Sequence, residues 1–236
     1  MEPLRVFIGY DPSESVAAQV LAHSVFKRAS GPVSITFLRL ETLREVHKRD
    51  RNPLQSTEFS FTRFLVPYLC GYRGRAVFLD CDMLVLDDIY QMVENAGEPY
   101  SPVCVVKHEH KPHANTNMLG QVQTRYECKN WSSVMLFWCD HHDCRNLTPE
   151  YVDTASGLDL HQFKWLETGM VGRLPHKWNH LVGYDPDVPA EQISLLHWTE
   201  GGPWWKRYAK TAYSDLWRSE RTEMLQAFER VKHEAA

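Results

Sequence analysis

The sequence predicts an α/β fold, a mainly parallel central sheet flanked by helices and closed by a C-terminal helix. Three observations carry that expectation. Short apolar, β-branched runs alternate with helix-spaced segments through the first 107 residues, an alternation that builds parallel sheets because parallel neighbours need a long crossover. The second half adds further apolar runs and ends on an amphipathic stretch. No repeat, low-complexity tract or linker divides the 236 residues, a length suited to one domain with a sizeable core.

Each element has its own signal. "RVFIG" (5–9) is the first strand, and "YDPSES" supplies turn and helix-start residues. From Glu14 to Ala29, Val16, Val20, Leu21 and Val25 recur at helical spacing. "VSITFL" (33–38) is a second strand. "TEFSFTRFLVPYLCGY" reads as a helix ending near Gly71, interrupted or kinked at Pro67. "AVFLD" is the third strand, "DDIYQMVEN" a short helix and "VCVVK" (103–107) the fourth strand. Beyond it, "HEHKPHANTN" is a polar loop placed to cover a bound ligand, "SSVMLFW" a strand and "LHQFKWLE" a helix. "SLLHW" (194–198) is a late strand, and 213–232 a terminal helix with Trp217, Met224, Phe228 and Val231 on one side.

A formal charge of −4 gives no basic footprint for nucleic acid or an anionic membrane. No apolar run approaches a membrane span, and the N-terminus is unlike a secretory signal. Six scattered cysteines are too few for a disulfide scaffold and read as reduced, which favours the cytoplasm. "CDHHDC" (139–144) lacks the two separated ligand pairs of a structural zinc site. His108 and His110 could hold a metal, but composition favours an exposed loop. All eight tryptophans fall at or after Trp131 and read mainly as packing residues, Trp178 among them.

The sharpest feature is "AVFLDCDMLVLDDI" (76–89), in which Asp80 and Asp82 interrupt a buried strand. A buried carboxylate without a partner is costly. If the strand continued through both, residues i and i+2 would share a face at the carboxyl edge of the sheet, where α/β folds bind ligands. Two hard oxygen donors there suit Mg²⁺ or Mn²⁺ holding a phosphate. The spacing alone is weak in a chain with 13 Asp, and the other pair, Asp185 and Asp187 in "GYDPDVP", reads as a turn. An aspartyl phosphatase also uses a strand-end pair, though its pair comes early in the chain and carries Thr or Val where Leu84 stands here.

Taken together, these segments resemble the family 8 retaining glycosyltransferases, the glycogenin and bacterial lipopolysaccharide galactosyltransferase type with a GT-A fold, along nearly the whole chain from "VFIGYD" to "HWTEGGPWW". The resemblance implies a sugar moved from a nucleoside-diphosphate donor, in this family a UDP-sugar, to an unidentified acceptor with Mn²⁺ or Mg²⁺ as cofactor. "FLDCDMLVLDDI" is similar to the metal strand, so Asp80 and Asp82 are implied ligands, with His197 of "LHWTEGGPWW" as the third. That last segment departs from the family's H-x-x-G-x-x-K-P-W: Glu200 takes the Gly place, Gly201 and Gly202 follow, and Lys206 stands in for the missing Lys. The two glycines imply close backbone approach to the diphosphate. Arg63, 17 residues before Asp80, takes the place of the arginine that reaches diphosphate or sugar.

"NWSSVMLFW" is similar to the sugar-contacting segment, which assigns Asn130 to the donor sugar and puts Ser133 where Gly is usual. "LPHKWN" (174–179) matches "LPxxWN". In "GLDLHQFKWLE" the family's Asp-Gln-Asp becomes His161-Gln162-Phe163, so Gln162 is kept and both acids are gone; Asp159 reaches inward only in a different register. At the start, Tyr10 is placed to stack on the nucleobase and Asp11 either to accept its N–H or to cap the following helix. The division implied is a nucleotide-binding part (1–107) and a sugar- and acceptor-binding part (108–236). Catalysis then falls to Gln162, Asn130 and Arg63, by front-side departure and attack with retention. A relative that keeps only the binding of nucleotide sugar or glycan is the competing reading, motivated by His161 and Phe163.

Overall fold

A computed structural model describes residues 2–51, 55–97, 101–109, 128–167 and 169–234, with side chains to 226 in the last helix. The N-terminal part is regular. Strand β1 (Leu4–Gly9) leads through a short 3₁₀ turn (Pro12–Glu14) into α1 (Ser15–Arg28) and back to β2 (Val33–Leu38), which pairs with β1 in parallel. The helix forms because Ala17, Ala18, Val20, Leu21 and Val25 make one buried stripe.

The expected long helix before the third strand is instead a 3₁₀ segment (Thr62–Leu65) followed by the single turn α2 (Val66–Leu69), with Pro67 in its opening positions. Proline has no N–H to continue a helical ladder, so the segment breaks there. Strand β3 (Arg75–Leu79) stops one residue before Asp80. The chain bends and enters β4 (Met83–Val85), which belongs to a different sheet. Helix α3 (Ile89–Glu94) follows, capped by Asp88, which accepts from the Tyr90 N–H.

Strand β5 (Val103–Val105) and β6 (Val134–Trp138) come next, then α4 (Pro149–Thr154), α5 (Gly157–His161) and β7 (Gly172–Arg173). The helix expected over "LHQFKWLE" ends at His161, and Phe163 takes a positive φ of 57°. Strands β8 (His180–Leu181) and β9 (Leu195–His197) precede the terminal helix α6 (Ser214–Glu234). Phe228 and Val231, expected on its apolar side, lie outside the described side chains, whereas Trp217 is buried.

The main sheet has the order β2-β1-β3-β6-β5-β7. Its pairs are parallel except where β6 runs against β3 and β5. A second sheet, β4-β9-β8, was not anticipated from sequence; β4 and β9 are antiparallel with Met83 opposite His197. The core under the main sheet is continuous from Leu4 to Leu195, and a smaller cluster of Val20, Leu84, Leu196, Trp198 and Trp217 ties the small sheet to α1 and α6. Glu220 stitches those two helices from the inside: it accepts from Arg28 Nη2 at 2.8 Å and sits 2.6 Å from His23 Nδ1. Trp178 is fully buried, as its packing reading required.

Candidate active site

The two sheets place the acids and the imidazole together. Asp80 lies just past β3, where its N–H still donates to the Ser133 carbonyl at 3.0 Å. Asp82 lies just before β4, and its carbonyl accepts from the Trp198 N–H at 3.0 Å. Because β4 pairs with β9, that bond carries His197 alongside Asp82, with Nε2 at 3.3 Å from Asp82 Oδ1. Ligand atoms of Asp80, Asp82 and His197 all lie within 4.8 Å of one another. The convergence therefore arises from a bend between two sheets, not from the i, i+2 geometry of one continuous strand.

A hydrogen-bonded chain fixes the imidazole. His197 Nδ1–H donates to Asn179 Oδ1 (2.9 Å), Asn179 Nδ2–H donates to Ser133 Oγ (2.9 Å), and Ser133 Oγ–H donates to the Asn130 carbonyl (2.6 Å). With Nδ1 protonated and occupied, Nε2 is left facing the acids, the arrangement by which outer groups orient a metal-binding histidine. Ser133, in the place where glycine is usual in the resembling family, thus works as a link in this chain. Asn130 begins the segment with a φ of 64°, a conformation that asparagine tolerates better than most residues.

Arg63 is buried and committed to the same site. Its Nη1 is 2.9 Å from Asp80 Oδ1 and 2.9 Å from the Ser132 carbonyl, and the guanidinium rests between the Phe59 and Phe78 rings. His161 stands beside it: Nδ1 is 2.7 Å from Ser132 Oγ, and the ring meets Phe64 edge-on. Burial, then the neighbouring Arg63 charge, hold His161 down to about 3, so it is neutral.

The acids are short of positive charge. Burial pushes Asp80 up to about 7, helped by Asp82 and opposed by Arg63 and His197. Burial pulls His197 down, but Asp82 and Asp80 outweigh it and the net shift is upward. Oδ1 of Asp80 is buried with the Arg63 guanidinium as its ion-pair partner, Oδ1 of Asp82 is buried against His197 Nε2, and among the described residues neither oxygen has a further hydrogen bond. Two buried carboxylates served by a single guanidinium, with one imidazole nitrogen within reach of the same point, fit a hard divalent cation.

A cavity of about 470 Å³ opens from Asp82 and is lined also by Asp11, Glu14, Gly201, Trp205 and Lys206. Gly201 takes a φ of 124°, and a Cβ on Gly202 would lie 2.1 Å from the Trp204 ring, so both positions require glycine. Glu14, which sequence reasoning did not single out, accepts at Oε1 from the indole N–H groups of Trp204 (3.1 Å) and Trp205 (3.3 Å). Burial, then Asp82, push Glu14 up to about 7. The signal for it was present in the paired tryptophans after Gly202, which need an acceptor for their N–H groups.

The other assigned residues are more dispersed. Asp11 caps the 3₁₀ turn through the Ser13 N–H (3.0 Å) and also accepts from the Glu58 N–H (3.3 Å). Tyr10 lies outside the cavity wall, its ring against Phe37 and under Arg39. Gln162 closes α5 half-buried. Asp159 does not turn inward: it is bonded to Lys164 and Ser156 at the surface. His108, expected in an exposed loop, is buried, and burial together with His176 lowers it to about 4; His110 lies outside the described residues. Asp185 is more than a turn residue, accepting from His176 Nε2–H (2.9 Å) and the Leu181 N–H (2.7 Å). None of the six cysteines is in a disulfide, and near Cys139 and Cys144 the groups among the described residues close enough to share an ion are His141, His142 and Asp143, without either thiol.

No family model matches the sequence. Among solved structures, the bifunctional glycosyltransferase WbbM superposes with a TM-score of 0.66 at 16% identity over 95% of this chain, which spans about half (51%) of WbbM. GlyE of Streptococcus pneumoniae TIGR4 gives 0.62 at 13% identity, with 98% of this chain against 64% of GlyE. The galactosyltransferase LgtC, solved with donor and acceptor sugar analogues, gives 0.56 at 11% identity, covering 93% of this chain and 96% of LgtC. At such identities the likeness establishes the fold, that of the GT-A glycosyltransferases. In sequence, the chain is 44% identical over 227 residues to Protein CDI of Arabidopsis thaliana, covering 94% of this chain and 87% of that protein. The chain belongs to the Protein CDI family.

Proposed function

We propose that this protein is a metal-dependent retaining glycosyltransferase of the family 8 type, transferring a hexosyl unit from a nucleoside-diphosphate sugar, in the first instance a UDP-sugar, to an acceptor still to be identified. The observation that carries the reading is the convergence of the buried Oδ1 atoms of Asp80 and Asp82 with His197 beside an open cavity. Asp80, Asp82 and His197 would hold Mn²⁺ or Mg²⁺. Such an ion supplies Lewis-acid stabilisation of the charge that develops on a departing diphosphate.

The chain's own residues do the rest. Lys206, exposed on the cavity rim, adds a positive charge for the phosphates; the Gly201 N–H already donates to the Trp198 carbonyl at 3.0 Å, which leaves the Gly202 N–H as the close-approach donor. Arg63 screens Asp80 and sets its position, with the donor diphosphate or sugar as its second partner. Asn130 and Gln162 orient the transferred sugar, and Tyr10 and Asp11 receive the nucleobase. Among the described residues we identify no carboxylate pair for a double displacement, so departure and attack occur on one face, the leaving phosphate takes the acceptor's proton, and configuration is retained. Residues 1–107 form the nucleotide-binding part and 108–236 the sugar and acceptor part, in a cytoplasmic protein. Among the described residues no helix is long and apolar enough to cross a membrane.

A second reading has its own support. Asp159 is at the surface and His161 is neutral, so neither supplies an acid on the acceptor side, which favours a protein that binds a nucleotide sugar without turnover. Incubation with a panel of nucleotide sugars, with and without Mn²⁺, separates the two. Metal-dependent sugar release is the expected result. Tight binding with no release supports the second reading, and phosphate release from simple monoesters would instead indicate a phosphatase.

A further inference from the structure

The active-site acids are not the only metal-competent group. Behind the small sheet, His108, His176 and Asp185 bring ligand atoms within 4.8 Å of one another. They come from three separate places: the segment after β5, the 3₁₀ turn His176–Trp178, and the loop after β8. Local sequence spacing therefore does not produce the cluster; the fold does.

Two details point to a ligand. His108 is 93% buried by its residual exposure of 7%, yet its Nε2 has no hydrogen-bond partner. A buried imidazole nitrogen left unpaired at a polar cluster calls for an explanation, and a bound ion is among the ordinary ones. His176 Nε2 is 2.9 Å from Asp185 Oδ2, and His180 Nδ1 flanks that same oxygen at 3.9 Å. The His108 and His176 rings stand edge to face with centroids 5.0 Å apart.

We infer that His108, His176 and Asp185 form a second cation site, specific for a borderline transition metal of the Zn²⁺ class, with the remaining position filled by water or by His180. The donor set decides the metal class. Two or three imidazoles with one carboxylate suit Zn²⁺ over Mg²⁺ or Mn²⁺, whereas two carboxylates with one imidazole at Asp80, Asp82 and His197 suit the harder ions. A tetrahedral ion with bonds of about 2.0–2.1 Å needs its ligand atoms roughly 3.4 Å apart. His176, exposed at 56% of its side chain, is the arm free to close the present spread.

The site is placed to matter to the other one. Asp185 Oδ2 also accepts from the Leu181 N–H, and Leu181 is the residue of β8 paired with His197 in β9. A cation bound there fixes the segment after β5 to the strand next to His197, a structural role independent of whether sugar is transferred.

The test uses metal alone. Chelator-stripped wild type, Asp80→Asn/Asp82→Asn and His176→Ala are titrated with Zn²⁺ against a chromophoric competitor, and thermal unfolding without metal is recorded for each. Because His176 is largely exposed, its replacement should leave metal-free unfolding unchanged. The expected result is one tight Zn²⁺ in the wild type, kept by Asp80→Asn/Asp82→Asn and weakened about tenfold or more in His176→Ala. His108→Gln provides the second arm and should lose the same ion. Absence of stoichiometric Zn²⁺ from the wild type, or a tight Zn²⁺ undiminished in His176→Ala, overturns the assignment.

Discussion

Two buried carboxylate regions in this molecule behave in opposite ways. At the seam between α1 and α6, Glu220 is 2% exposed and surrounded by Arg28, His23 and Lys27; burial raises it, but those bonds and charges win and its pKa falls below the usual value. At the end of β3, Asp80 has one guanidinium and a second carboxylate for company, and burial wins. The seam carries enough positive charge to be complete without a ligand. The pair at Asp80 and Asp82 does not, and under the proposed function that deficit is what a cation would make good.

The comparison can be broken in order of effect. Asp82→Asn removes a ligand outright, and Mn²⁺-dependent sugar release should fall by more than the roughly 10–100-fold typical of losing a supporting residue. A variant within a few-fold of wild type would contradict the assignment. Glu220→Ala should cost about 3–5 kcal/mol, because it strands Arg28 and His23 against a packed seam, and leave Mn²⁺ affinity unchanged. Chemical denaturation and metal titration of one sample check both halves. Asn179→Ala frees Nδ1 of His197 and should weaken Mn²⁺ by about 10–100-fold, with a smaller effect on folding.

The smallest effect is in pH. Asp80 is raised in the folded state, which binds more protons than the unfolded chain between the ordinary carboxylate value of 3.8 and about 7. Stability contributed at this position therefore falls as pH rises through that window. Buried neutral histidines such as His161 slope the other way, so the measurement is a difference. Stability of metal-free wild type relative to Asp80→Asn should decline from about pH 4 to about pH 7 and then level off. A difference that rises with pH would contradict the charge-deficit account.

What the sequence showed follows from how local each signal was. Strands β1 and β2 and helix α1 carry their period within a few residues and lie where the pattern put them. The break at Thr62–Leu69 was harder to read, since Pro67 marks an interruption without saying which side stays helical. The small sheet was invisible because β8 and β9 are two and three residues long, and the pairing of β9 with β4 spans more than a hundred positions. That same pairing brings His197 to Asp82, so resemblance could nominate the histidine while only coordinates explain its approach. Asn179 lies in "LPHKWN", but its role depends on Ser133 and His197, 46 and 18 residues away, which bond it from either side. His108 was misplaced because polar composition predicts a loop and says nothing of a nearby imidazole and carboxylate that bury it.

The most direct measurement is calorimetric titration of the protein with UDP and Mn²⁺, alone and together, for wild type and His197→Ala. If Asp80, Asp82 and His197 hold one ion against a diphosphate, UDP binds wild type far more tightly with Mn²⁺ than without, and His197→Ala loses that gain. Equal UDP affinity with and without Mn²⁺, or a metal-dependent gain that survives His197→Ala, would contradict it.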